Sequence, residues 1–91
     1  MKVALTELEQ VAKDLSIKVT YEDLRTSRGG SCRVMATRRI IINKHLQHNE
    51  KITLLARELS RFDLSGLELD DRLKKKIDQE SDRQEQLKLS A

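Results

Sequence analysis

The apolar pattern predicts an α+β domain: an N-terminal helix, a small, mainly antiparallel sheet of about three strands, a long central helix and a C-terminal helix. Three observations carry this expectation. The apolar period is near 3.6 from Leu8 to Leu15, drops to 2 over Ile17 to Tyr21, and returns to 3.6 after Asn49. Gly29-Gly30, the only adjacent glycines, punctuate the middle of the chain. Ile40-Ile41-Ile42 is the most apolar β-prone run and is expected to form the best-buried strand.

The first helix follows from Leu8, Val11, Ala12 and Leu15, which share one helical face, and Thr6 with Glu9 has capping-box spacing at its start. Ser16 breaks the period, and Ile17-Lys18-Val19-Thr20-Tyr21 then alternates apolar and polar side chains as a half-buried strand does. Gly29-Gly30 marks a turn or close backbone approach ahead of a β-hairpin. Its strands are read as Ser31 to Met35 and Arg39 to Asn43, joined through Ala36-Thr37-Arg38 without the Gly, Asn or Asp usual in tight turns.

Asn49 is placed to cap the second helix, read as Asn49 to Asp63, with Ile52, Leu55, Ala56, Leu59 and Phe62 as its stripe. Leu54 falls on the face expected to be wet, so this helix is expected to be covered on more than one side. Asp70 can open a third helix carrying Leu73 and Ile77, with Asp70–Lys74 and Asp71–Lys75 at ion-pair spacing. The apolar pattern nearly stops beyond Ile77. A single domain over residues 1–79 is expected, with 80–91 a frayed or disordered tail.

A chain of 91 residues, 37% hydrophobic and 36% charged, excludes two large domains and leaves a thin core. Cys32 is the only cysteine, so no disulfide forms within the chain. The opening residues turn polar too soon for a signal peptide and no run is long enough to span a membrane, so a cytoplasmic location and no membrane partner are expected. Neither a P-loop nor a G-x-G-x-x-G run is present, which removes the simplest nucleotide-enzyme classes.

The net charge is +3, but residues 31–48 hold Arg33, Arg38, Arg39 and Lys44 and no acidic residue. A positive segment of this kind suits an anionic partner, and it also suits a solvated strand face whose charges oppose edge-to-edge pairing. Nucleic acid would be contacted by Arg25, Arg28, Arg33, Arg38, Arg39 and Lys44. With only Tyr21 and Phe62 as aromatics, single-strand recognition by base stacking is poorly supplied.

Arg39-Ile-Ile-Ile-Asn-Lys-His-Leu, followed after a short polar stretch by Ile52-Thr-Leu-Leu-Ala-Arg-Glu-Leu-Ser-Arg61, resembles the edge strand and active-site helix of zincin metallopeptidases. The similarity is to the small bacterial kind, whose strand ends in Ile-Asn and whose helix reads Leu-Ala-His-Glu-Leu-x-His. The resemblance implies that Arg57 and Arg61 stand where two zinc-binding histidines would be, with Glu58 matching the general base. It covers Arg39 to Leu64, a minority of the chain. A guanidinium is permanently protonated and has no lone pair for a metal, so the departure removes the chemistry. Arg57, Glu58 and Arg61 then become a degenerate motif suited to gripping an anion or a partner.

Cys32, His45 and His48 are acceptable zinc ligands by type, but their spacing is not diagnostic and a fourth ligand is unassigned. The expectation from sequence is a non-catalytic, zincin-like binding or adaptor domain without a cofactor, whose partner is protein. The alternative is a small nucleic-acid-binding module using the basic hairpin.

Overall fold

The computed structural model describes the backbone over residues 3–90 and side chains over residues 3–81. The chain folds as α1 (Leu5–Asp14), β1 (Ile17–Glu22), β2 (Gly29–Val34), β3 (Thr37–Asn43), α2 (His48–Leu59) and α3 (Asp71–Ser90). The α+β class and the order of elements are those expected. The predicted tail over 80–91 lies, for its side chains beyond Ser81, outside the described residues; Glu80, at its start, is fully buried.

The sheet has the order β1-β3-β2 and is mixed rather than mainly antiparallel. β3 is antiparallel to β2 through the hairpin, while β1 pairs with its other side in parallel. The chain reverses between β1 and β2, over residues 23–28, and places β2 on the far side of β3. The isoleucine run accordingly occupies the central strand. Ile40 and Ile42 are fully buried on the helix-covered face, and Ile41 is half-buried on the other.

α1 packs on β1, and α2 packs on β2, β3, α1 and α3. Leu8, Val11 and Ala12 from α1, Ile17, Ile40 and Ile42 from the sheet, Leu54, Leu55, Ala56 and Leu59 from α2, and Leu73 and Ile77 from α3 form one core. Because α2 is enclosed by four elements, Leu54 is buried, as its position outside the main stripe suggested. No helix among the described residues is long and apolar enough to cross a membrane.

The starts of α1 and α2 lie slightly upstream of those predicted. Glu7, rather than Glu9, reaches back at the start of α1, where its carboxylate accepts from the Ala4 N–H at 3.0 Å. Thr6 lies within the first turn. Gln47, not Asn49, is the N-cap of α2, and Glu50 accepts from its N–H at 3.3 Å. At the start of α3 Asp70 does cap, accepting from the Arg72 N–H at 2.8 Å; that bond holds its carboxyl below the ordinary range. Asp70 also pairs with the Arg72 side chain at 3.3 Å instead of the predicted Lys74.

Gly29 lies at the start of β2, where the close backbone approach anticipated from the glycine pair is real. With φ at +132°, a Cβ here would stand 2.2 Å from the Ile41 carbonyl oxygen and 3.1 Å from Leu54 Cδ2. Only glycine lets β2 pass between β3 and α2 at this point. The hairpin turn is tighter than predicted: Met35 and Ala36 alone connect the strands, and Met35 takes φ +58°.

Candidate functional site

Asn43 ends β3 and organises the chain around it. It is buried, and its Nδ2 donates to the carbonyls of Arg25 at 3.1 Å and Ser27 at 2.8 Å. Its Oδ1 accepts from the His45 N–H at 3.0 Å. One side chain thereby satisfies the loop between β1 and β2 and the turn into α2, since a buried amide must spend its donors and acceptors locally. Sequence reasoning gave Asn43 no role of its own, although a polar residue directly after an isoleucine run was the available signal.

The degenerate motif sits at the C-terminal end of α2. Glu58 is 4% exposed, because α2 is covered on the side that Leu54 and Glu58 share. Its Oε1 lies 3.8 Å from Arg61 Nη1 and has no hydrogen-bond partner. Arg57 is half-buried with its Nε shielded and unpartnered. Arg61 falls just past the helix, in a tightened turn where its N–H donates to the Glu58 carbonyl at 3.2 Å. The two arginines are therefore unequal: Arg57 belongs to the packed helix, whereas the Arg61 side chain is half exposed. The strand that the resemblance casts as a sheet edge is the centre of the sheet, because β2 pairs along its outer side.

The candidate zinc ligands do not converge. Cys32 is exposed on β2 opposite Arg39, while His45 follows β3 and faces Asp23 at 3.7 Å. Arg39 and Asn43 alone are separated by four residues of strand, roughly 13 Å at the usual rise. Among the described residues no group of three or more His, Cys, Asp or Glu side chains is placed to hold a metal ion.

The six basic residues proposed for nucleic acid divide between the two ends of the sheet. Arg25, Arg28 and Lys44 lie at the end near Asn43, where Arg28 is paired with Glu50 at 3.0 Å. Arg33, Arg38 and Arg39 lie at the hairpin end. Arg33 and Arg38 are directly opposite each other on paired strands, and Arg39 is flanked by Lys18 and Cys32 on the other face. The Arg38 guanidinium lies over the Phe62 ring, 5.4 Å from its centroid, which brings this strand against the turn that carries Arg61. The single basic surface suggested by composition is thus two surfaces, and the hairpin end holds three arginines with no carboxylate partner among the described residues, against Arg25 and Lys44 at the other end.

No protein-family model matches the chain, and neither a curated protein nor a solved structure matches it significantly.

Proposed function

We propose that this chain is a non-catalytic, zincin-like binding or adaptor domain of a bacterial cytoplasm. The observation that carries the reading is the state of the motif helix. Arg57 and Arg61 occupy the positions where the resemblance calls for zinc ligands, and the carboxylate between them is buried against Arg61 at 3.8 Å. Guanidinium groups cannot donate a lone pair, and their charge opposes a cation at that place. Glu58 serves as an internal counter-charge at the end of the helix, and Arg57, in its last turn, also complements the helix dipole. What the domain offers instead is cationic surface at the hairpin end, where the exposed Arg33 and Arg38 and the half-buried Arg39 suit carboxylate or phosphate partners.

Isothermal titration calorimetry with zinc tests this. The wild type should give no binding at the motif helix and no metal-dependent peptidase activity. Arg57→His combined with Arg61→His places two imidazoles on either side of Glu58 and should gain measurable zinc affinity, provided a third ligand or waters complete the shell. Zinc binding by the wild type that survives removal of Cys32, His45 and His48 would overturn the assignment.

A further inference from the structure

We propose that the hairpin end of the sheet is a docking surface for double-stranded DNA, with Arg33, Arg38 and Arg39 contacting phosphates and the Met35 tip lying in a groove. The proposal deepens the binding-domain reading by naming the partner's chemistry.

The first observation is electrostatic. Arg33 and Arg38 are cross-strand partners. Like charges in that position destabilise a sheet, so the pair costs stability in the free protein. Other cations of the fold are neutralised by carboxylates, Arg28 by Glu50 at 3.0 Å, Arg72 by Glu7 at 2.8 Å and Lys76 by Glu80 at 3.0 Å. Arg33, Arg38 and Arg39 have no such partner among the described residues. Lys18 beside Arg39 and the half-exposed Arg61 beyond Phe62 extend the same field. A surface of this sign concentrates a polyanion, and an arginine can bind phosphate through two parallel hydrogen bonds.

The second observation is shape. Val34 and Met35, 49% and 94% exposed, are the large exposed hydrophobic residues among those described, and they sit together at the tip between the arginines. A two-stranded ribbon fits the major groove of B-DNA, about 12 Å wide, while its flanking cations reach the phosphates on either side. An A-form RNA helix has a major groove too narrow for it. Single strands are disfavoured because neither aromatic ring is free to stack on bases. Tyr21 is hydrogen-bonded to Glu9 with Lys51 over its ring, and Phe62 lies under Arg38.

Fluorescence anisotropy of the full chain tests the proposal, using a labelled short DNA duplex, the matching RNA duplex and anionic phospholipid vesicles over a range of salt. DNA should bind at low salt, with log K falling against log[salt] with a slope of about −3 for three phosphates. Arg33→Ala, at an exposed edge position, should reduce that slope by about one, while Lys44→Ala at the opposite end leaves it unchanged. Circular dichroism confirms that each variant is folded. No anisotropy change with folded wild type at low salt overturns the proposal. So does RNA or vesicle binding as tight as DNA binding, or an equal loss in Lys44→Ala. These outcomes leave the zinc titration untouched, so the docking proposal and the binding-domain reading fail separately.

Discussion

Tyr21 shows how one residue ties two elements. Its ring is half-buried between α1 and the sheet, and its hydroxyl donates to Glu9 of α1. Burial, then the hydrogen bond to Glu9 and that carboxylate's charge, push the phenol well above its ordinary pKa of 10.0. The folded state therefore favours the neutral phenol. This contribution is fully present below pH 10 and is lost as pH rises above it toward the folded pKa. Because the chain has a single tyrosine and no tryptophan, tyrosinate absorbance reports this group alone. The native protein should ionise at clearly higher pH than the same chain in denaturant. Glu9→Gln should move the native curve only part of the way back, since burial is the larger cause. Coincident curves for native and denatured wild type would show that the phenol is not held in this way.

In the β2–β3 hairpin the local sequence conflicts with the conformation, as it also does at Ser16 and Arg25, whose φ values are +60° and +57°. A two-residue turn needs positive φ, and Met35 supplies it at +58° although a side chain in that region costs about 1–2 kcal/mol. Met35 is 94% exposed, so its removal leaves no cavity. Met35→Gly should stabilise the domain by about 1 kcal/mol and raise Tm by about 4–8 °C, as read by thermal unfolding. A lowered Tm would mean that the turn has no strain to relieve. The same conflict explains the misplaced turn: with no Gly, Asn or Asp to mark it, the sequence reading put the connection on Ala36-Thr37-Arg38. Periodicity located each helix and strand, because Leu8, Ile40 and Leu55 need a buried face wherever the elements go. It could not reveal that β1 runs parallel to β3, since parallel pairing depends on where the chain crosses after Glu22. Nor could it show Glu58 as buried. The helical wheel gives the direction of a side chain, whereas its burial depends on which elements arrive opposite.

At the scale of the whole molecule, the net charge of +3 is less informative than its arrangement. Acidic side chains are used to join distant parts of the chain: Glu7 of α1 holds Arg72 of α3 at 2.8 Å, and Glu50 of α2 holds Arg28 at 3.0 Å. The hairpin end receives none of them apart from the buried Glu58, so Arg33 and Arg38 face each other as like charges across the β2–β3 register. Salt should screen that repulsion and raise the wild-type Tm. Arg33→Glu turns the like-charged pair with Arg38 into an opposite-charged one, which should stabilise the fold by about 0.5–1 kcal/mol and reverse the sign of the salt effect. The same substitution removes one phosphate contact and adds a carboxylate to the docking surface, so DNA affinity should collapse as stability rises. Thermal unfolding at low and high salt, paired with anisotropy on the same samples, measures both. A variant that gains stability and loses the ligand would mark the arginine pair as retained at a cost to the fold. A variant no more stable than wild type, with an unchanged salt response, would mean the two guanidiniums are too well solvated to feel each other.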